Sequence, residues 1–381
     1  MNLTSNRLRL DDLAAVQEHF HSRGWSDGLP VVPPTATAVE ACLEWAVLPP
    51  DHLVGIEPVR SRAVTAEKVA VNAVMAGCLP MHFPVVVTAV AAILAEPFEL
   101  HGPTASTGGS AVLVVVNGPI RAELGMVSSF NALAGSDRAT TCIGRAVRLT
   151  LINLLDVRPG GIDRSTLGHP GKISYCVAED EETSPWPSLA AERLGLADPR
   201  RPPTVSTAAP TSDGAADPST PAPGSGSTPA PMAASAVTVF AAMAPRQIMN
   251  EWTTEPEEIL DTFVAEIKAN MRHYSIWAGN YGVVIAPQLR AHLAAAGWSK
   301  HDVQTYVFER ARVKRSEWSE VGKGSVVMGK GDREYAALTS PDDLLVIAGG
   351  GPAGGFGAVV PPWLGTKSRA VTLPIGACVN C

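Results

Sequence analysis

Apolar residues recur along the first part of the chain with two spacings, one helical and one typical of strands. The helical spacing predicts four helices, at 10–23, 66–77, 84–95 and 138–155. Two short apolar runs, 111–116 and 173–178, predict strands, and the first of them is rich in valine, as strands covered on both faces are. We therefore expect a mixed α/β lobe in which helices cover a sheet.

The second part of the chain alternates more regularly between the two spacings. The predicted strands are 237–242, 282–286, 344–348 and 370–374. The predicted helices are 257–273, 287–296 and 299–313. Because regular alternation of strands and helices is typical of parallel sheets, we expect a smaller, mostly parallel α/β lobe here.

Between the two parts lies a stretch of Pro, Ser, Thr, Ala and Gly with almost no large apolar residue. Such a composition cannot bury enough apolar surface to offset the entropy lost on ordering, and its prolines favour extended conformations. It predicts a disordered tether. The expected organisation is an α/β protein of two lobes, with a domain at 1–198, a linker at 199–235 and a domain at 236–381.

Charge and composition narrow the classes of partner and compartment. The formal net charge of −7 disfavours nucleic acid as a partner, since phosphate backbones are bound by clustered Lys and Arg. The longest apolar runs, 85–95 and 111–116, are shorter than the roughly 20 residues of a membrane span, and the first 13 residues contain no apolar segment typical of a secretory signal. Six cysteines in 381 residues are too sparse for a disulfide framework. We expect a cytoplasmic protein with reduced thiols and no membrane partner.

A glycine-rich loop follows the predicted strand 344–348. Gly349, Gly351 and Gly354 match the Gly-x-Gly-x-x-Gly pattern of dinucleotide-binding loops and are the candidate cofactor-binding residues. That mechanism also needs a helix that begins at the loop and an acidic residue about 20 residues later. The segment 355–362 is too short and proline-bounded for a full helix, and no acid follows it. We therefore do not expect FAD or NAD binding and favour a structural turn or an anion-binding backbone nest.

A polar loop at 165–172 carries one imidazole and one ammonium group just before a predicted strand. His169 is a candidate general acid or base near neutral pH, and Lys172, with Gly168 and Gly171, is a candidate for holding an anionic substrate. Loops at the ends of sheets are common sites for such groups. The alternative is that His169 is a turn residue and Lys172 is solvated.

Three arginines mark one face of the predicted helix 138–155. Arg138, Arg145 and Arg148 form a basic stripe that is suited to clamping a carboxylate or a phosphate, and we assign Arg138 and Arg145 to substrate binding. Intramolecular ion pairs are the alternative.

The run of four acids at 179–182 has two possible interpretations, a divalent metal site and a solvated acidic loop. We favour the solvated loop.

The cysteines offer two kinds of thiol chemistry. Cys378 and Cys381 form a C-x-x-C pair that is typical of a mobile dithiol or of half a zinc site. Cys78, four residues before His82, and Cys176 are candidate catalytic thiols, with small buried apolar residues as the alternative reading of Cys78. No metal ligand set is predicted.

Four segments carry a resemblance to a bacterial family that is itself uncharacterised. They are 27–35 (DGLPVVPPT), 73–78 (AVMAGC), 117–121 (NGPIR) and 166–172 (TLGHPGK). The resemblance covers residues 25–186 and extends more faintly into the second lobe. This family is associated with thiol or selenol proteins of the UGSC type, which implies sulfur or selenium redox chemistry and a thiol or selenol protein partner. No catalytic residue is carried over, and the Gly-Ser-flanked reactive cysteine of those partners is absent from this chain.

These features favour an enzyme, or a catalytic subunit, that acts on a small anionic organic substrate. Arg145 and Lys172 would bind the anion, His169 would transfer a proton, and Cys78 or Cys176 would supply any thiol chemistry of an oxidoreductase or lyase. Two alternatives remain open. One is a thiol-redox protein that uses the pair Cys378 and Cys381, and the other is a non-catalytic binding or assembly subunit.

Overall fold

The computed structural model describes residues 1–195, 235–273, 277–318, 332–363 and 368–376. The predicted linker at 199–235 lies outside these residues apart from Ser235. The described residues form helices and mixed sheets, so the expected α/β fold of two lobes is confirmed.

The helices and strands are numbered here in chain order. The helices are α1 (Leu13–Ser22), α2 (Ala36–Trp45), α3 (Ala66–Ala76), α4 (Phe83–Leu94), α5 (His101–Ala105), α6 (Ile120–Glu123), α7 (Arg138–Asn153), α8 (Leu189–Arg193), α9 (Pro256–His273), α10 (Pro287–Ala295) and α11 (Lys300–Arg310). The strands are β1 (Leu53–Glu57), β2 (Arg62–Thr65), β3 (Ala111–Asn117), β4 (Cys176–Ala178), β5 (Ala236–Ala242), β6 (Arg246–Met249), β7 (Tyr281–Ile285), β8 (Arg312–Lys314), β9 (Glu334–Ala336), β10 (Leu344–Ala348), β11 (Phe356–Val360) and β12 (Val371–Pro374).

One four-stranded sheet combines strands from both sides of the linker. Its order is β12–β5–β3–β4, with β3 parallel to β4 and antiparallel to β5, and with β12 antiparallel to β5. Strand β5 follows the linker, yet it pairs along its whole length with β3, from Ala236 opposite Asn117 to Ala242 opposite Ala111. The two lobes therefore share backbone hydrogen bonds.

The other four-stranded sheet, in the order β10–β7–β11–β6, is mixed. Only its β10–β7 pair is parallel, and β11 runs antiparallel to both of its neighbours. Strands β6, β7 and β10 run in the same direction, as expected for a mostly parallel lobe, and β11 is the exception that makes the sheet mixed. The physical reason for this exception is the short glycine-rich turn between β10 and β11, which replaces the helical crossover that a parallel pair needs.

The two sheets pack face to face, and helices cover their outer faces. Alternate residues of β3 separate the layers: Leu113 and Val115 pack against the second sheet, whereas Val114 and Val116 face the helical layer that contains α3, α4 and α7. Helices α9, α10 and α11 cover the outer face of the second sheet. The result is a stack of four layers, helix, sheet, sheet and helix.

Most predicted elements occur within a few residues of their expected bounds. The predicted strand 173–178 is shorter, because Pro170–Lys172 form a 3₁₀ turn and the strand begins only at Cys176. The predicted helix 299–313 ends at Arg310, and strand β8 follows it directly.

Within the described residues, no single helix has both the length and the apolar character to cross a membrane. One pair of segments, Pro80–Leu94 and Glu96–Ala105, meets those two criteria only when both are taken together across a 69° bend.

Candidate functional site

A cleft opens beside the amino-terminal end of β3, between this strand, helix α7 and the turn at 170–172. The cleft is open to solvent on one side, and the empty space in and directly above it, open solvent included, is about 460 Å³. Arg148 and Lys172 bring charge to its wall, while Thr104 and Ser110 add two hydroxyl groups. The rest of the lining is apolar or glycine.

Helix α7 places Arg148 in the cleft through its position on one face. Gly144, Arg148 and Leu151 follow each other at spacings of four and three, so they share the face that the helix turns toward the sheet. Gly144 allows the close approach, since a methyl group there would clash with Ser174 Oγ and would lie 2.7 Å from the Tyr175 amide nitrogen.

Two cations at the cleft share one carboxylate. Asp163 Oδ2 lies 2.9 Å from Lys172 Nζ and 3.5 Å from Arg148 Nη2, and the other oxygen of Asp163 accepts hydrogen bonds from the hydroxyl and the amide of Ser165. The charge of Asp27 also reaches Arg148, but Asp27 is itself paired with Arg145. The described part of the site therefore carries one net positive charge.

Burial and pairing shift the pKa of each of these groups. Burial acts to raise the pKa of Asp163, but its hydrogen bonds from Ser165 and Lys172 outweigh that effect and leave the pKa below 3.8. Burial lowers the pKa of Lys172, and the positive charge of nearby Arg148 lowers it further. The contact with Asp163 raises the pKa but does not offset these two effects. An added anion would relieve this repulsion between the two cations.

His169 lies next to the cleft and is engaged through both ring nitrogens. Its Nδ1 accepts a hydrogen bond from the Gly171 amide at 3.2 Å, and its Nε2 lies 3.3 Å from the carbonyl oxygen of Ala242, an arrangement that assigns the proton to Nε2. Burial lowers the pKa of His169, and the charge of Lys172 adds to that effect. These contacts give the neutral ring a positioning role for the turn that carries Lys172, and catalysis by His169 stays a prediction.

The two glycines of this loop have different surroundings. Gly171 lines the cleft, and a methyl group there would lie 2.6 Å from His169 Cε1. Gly168 has a positive φ of 69° and packs against the backbone of Gly109 outside the cleft lining. Of the two, only Gly171 lies where it can contact a ligand of the cleft.

Arg138 and Arg145 contact other segments of the protein, away from the cleft. Arg145 makes a bidentate pair with Asp27, with both nitrogen–oxygen distances at 2.8 Å, and it also donates to the carbonyl oxygens of Leu29 and Pro30. Arg138 donates twice to the carbonyl oxygen of Gly77. The pair of Arg145 and Asp27 matches the alternative of intramolecular ion pairs, whereas Arg138 contacts a backbone carbonyl instead. The geometry therefore favours Arg148 over both as the candidate anion-binding arginine.

The candidate thiols are buried. Burial raises the pKa of Cys78, and the neighbouring thiols of Cys142 and Cys42 raise it further. Burial likewise raises the pKa of Cys176, so both thiolates are disfavoured near neutral pH. His82 is buried as well, its Nδ1 accepts the Leu79 amide, and burial lowers its pKa to about 4.

Of the remaining predicted site residues, the structure describes the glycines of the loop at 349–354 but not the two cysteines near the C-terminus. Cys378 and Cys381 lie outside the described residues. Gly349, Gly351 and Gly354 lie in the turn between β10 and β11, where a strand and not a helix follows them. Gly350, within this turn, donates its amide to the carbonyl oxygen of Ser128, which ties the turn to the first lobe. The helix that a dinucleotide loop requires is absent from this described segment.

The acidic run at 179–182 is buried only at its start: Glu179 and Asp180 lie between the sheets, whereas Glu181 is half-buried and Glu182 is exposed. The expectation of a solvated loop was therefore wrong for Glu179 and Asp180. Glu179 is 1% exposed and accepts hydrogen bonds from the amides of Leu189 and Ala348 and from Asn117 Nδ2, and its burial raises the pKa of its carboxyl. Asp180 pairs with Arg290, which is 1% exposed. Among the described residues, no three His, Cys, Asp or Glu side chains are placed to hold a metal ion.

Comparisons with known proteins return no relatives: no family model, no curated protein and no solved structure matches the chain. The candidate function therefore depends on the geometry of the site.

Two residues of the cleft were not selected from the sequence. Arg148 was recognised as part of the arginine stripe but was not assigned to binding, although its spacing from Gly144 and Leu151 places it on the apolar face of α7, unlike Arg145. Asp163 offered no local signal, because only the fold brings it to Lys172.

Proposed function

We propose that the protein is an enzyme, or the catalytic subunit of one, that acts on a small anionic organic substrate bound in the cleft beside β3. The observation that supports this most directly is that Arg148 and Lys172 face one cleft with a single shared carboxylate, Asp163. The uncompensated positive charge is partly buried, where an anion is attracted more strongly than at an open surface.

Arg148 is the principal binding group in this proposal. Its side chain is 13% exposed, and Asp163 is its one hydrogen-bond partner among the described residues, at the long distance of 3.5 Å. Several guanidinium N–H groups are thus left for a carboxylate, which arginine binds in a bidentate manner.

Lys172 would hold the same anion and is the candidate for moving a proton. Its lowered pKa favours release of a proton more than that of a solvated lysine, and its Nζ is fixed by Asp163. Thiol-dependent chemistry at Cys78 or Cys176 gains no support from their burial. A cytoplasmic location remains part of the proposal, as the composition favours it.

The experiment that tests this proposal compares the wild-type protein with Arg148→Met. Each protein is incubated with a defined panel of small carboxylic and oxo acids, and mass spectrometry follows which acid is consumed and which product is formed. We expect consumption by the wild type and its loss in Arg148→Met, whereas the control Arg164→Met, at an exposed arginine, retains it.

Binding without turnover across the whole panel would contradict the catalytic part of the proposal and indicate a binding subunit. Turnover that is unchanged in Arg148→Met would contradict the placement of the site.

A further inference from the structure

Apart from its two cations, most of the cleft lining is apolar. Phe98, Val147, Leu151 and Val157 belong to it, and each is at most 5% exposed. Pro103 and Ala241 add to this apolar lining. A ligand that places its anionic group at Arg148 and Lys172 therefore places the rest of its body against hydrocarbon.

The two hydroxyl groups of the cleft already donate their protons. Thr104 Oγ1 donates to the carbonyl oxygen of Leu100 at 2.7 Å, and Ser110 Oγ donates to that of Pro103 at 3.2 Å. A second anionic group on the ligand would thus meet no free side-chain donor on this part of the lining, and its burial would be costly.

The charge of the site sets a further limit. Arg148, Lys172 and Asp163 together carry one net positive charge, which a monoanion neutralises and a dianion exceeds. The planar geometry of a carboxylate also suits the N–H groups of an arginine.

We infer that the cleft selects a small monocarboxylate with a compact apolar body, bound with its carboxylate at Arg148 and Lys172 and its hydrocarbon part against Val147 and Leu151. This inference rests on the proposed function and specifies its substrate class. Phosphate, phosphorylated compounds and dicarboxylates are poor ligands of such a site.

A ligand-observed NMR titration at low salt tests this selectivity with isobutyrate, acetate, succinate and inorganic phosphate. Isobutyrate has two more apolar carbons than acetate, so we expect it to bind about tenfold more tightly if both carbons are buried. Succinate and phosphate should bind more weakly than isobutyrate. In Arg148→Met, the binding of isobutyrate should be lost.

A variant of the apolar lining gives a second test. Val147→Thr keeps the shape of the side chain but replaces one methyl group with a hydroxyl group, so the affinity for isobutyrate should fall about fivefold while that for acetate changes little. Val74→Thr makes the same change on α3 at a similarly buried position outside the cleft, and it should leave both affinities unchanged.

The outcomes separate this inference from the proposed function. If phosphate or succinate binds as tightly as isobutyrate in the wild type and loses affinity in Arg148→Met, the anion site stands and the inferred selectivity is overturned. If none of the four anions binds, both are overturned.

Discussion

Asp163 and Lys172 form an ion pair at the edge of the cleft, with 2.9 Å between Oδ2 and Nζ, and the same carboxylate oxygen faces Arg148. The pair orients the ammonium group without neutralising the site, because a second cation remains. In the proposed anion site, Asp163 is therefore both a structural anchor and a limit on anion affinity.

Replacing Asp163 should separate these two roles. In Asp163→Asn, we expect the free energy of unfolding at pH 7 to fall by about 2 kcal/mol, since hydrogen bonds to a buried charged group are lost. Chemical denaturation measures this change. Asp156→Asn, at a half-exposed carboxylate paired with Arg158, serves as the control and should have a much smaller effect.

The same variant should change the acid sensitivity of the fold. The pKa of Asp163 is lower in the folded chain than its ordinary value of 3.8, so its stabilising effect is complete above that pH and is lost as the pH falls further. Denaturation midpoints between pH 5 and pH 2 should decline less steeply in Asp163→Asn than in the wild type. Equal slopes would show that this carboxylate is not stabilised by folding.

The pair of Asp27 and Arg145 should stabilise the fold without contributing to the cleft. Arg145→Lys cannot keep the bidentate contact, and we expect the free energy of unfolding to fall by about 2 kcal/mol. A double-mutant cycle with Asp27→Asn measures the coupling of the pair. If Arg145→Lys instead loses anion affinity while its stability is unchanged, Arg145 takes part in anion binding.

Gly144 should be intolerant of a side chain although it lies within a helix. Alanine has the higher helix propensity, but the methyl group in Gly144→Ala would press on the Tyr175 amide and on Ser174. We expect a net loss of about 2 kcal/mol in the free energy of unfolding, of the size typical of overpacking. Thermal denaturation checks this, and a stabilised variant would mean that α7 lies farther from β4.

His82 should make the fold sensitive to mild acid. The pKa of His82 falls from 6.5 to about 4 on folding, so its neutral form stabilises the native state fully above pH 6.5. This contribution is lost as the pH falls from 6.5 toward 4. His82→Gln should flatten the stability profile in that window, and the exposed control His21→Gln should not.

The sequence predicted the elements of the fold that depend on local patterns. It did not predict the contacts between segments that lie far apart in the chain. The spacing of apolar residues gave α7 and β10 nearly to their ends. It could not show that β5 pairs with β3 across the linker, because the partner of a buried strand is not encoded in its own pattern. The same limit explains the mixed second sheet and the burial of Glu179 between the sheets.

The residues of the proposed site could be selected only in part from the sequence, for the same reason. Lys172 was selected because a polar loop before a strand is a local signal, whereas the choice of Arg145 over Arg148 depended on partners far away in the chain. Asp27, which occupies Arg145, lies 118 residues before it. Local composition also could not show that backbone groups of Gly171 and Ala242 contact both ring nitrogens of His169.

The most direct test of the charge arrangement is the affinity of three proteins for isobutyrate at low salt: wild type, Arg148→Met and Asp163→Asn. Each variant is first shown to be folded under the conditions of the titration. Removing the cation should abolish binding, and removing the carboxylate should tighten it, because the net charge of the site rises from one to two. Equal affinities in all three proteins would contradict the assignment of this cleft as an anion site.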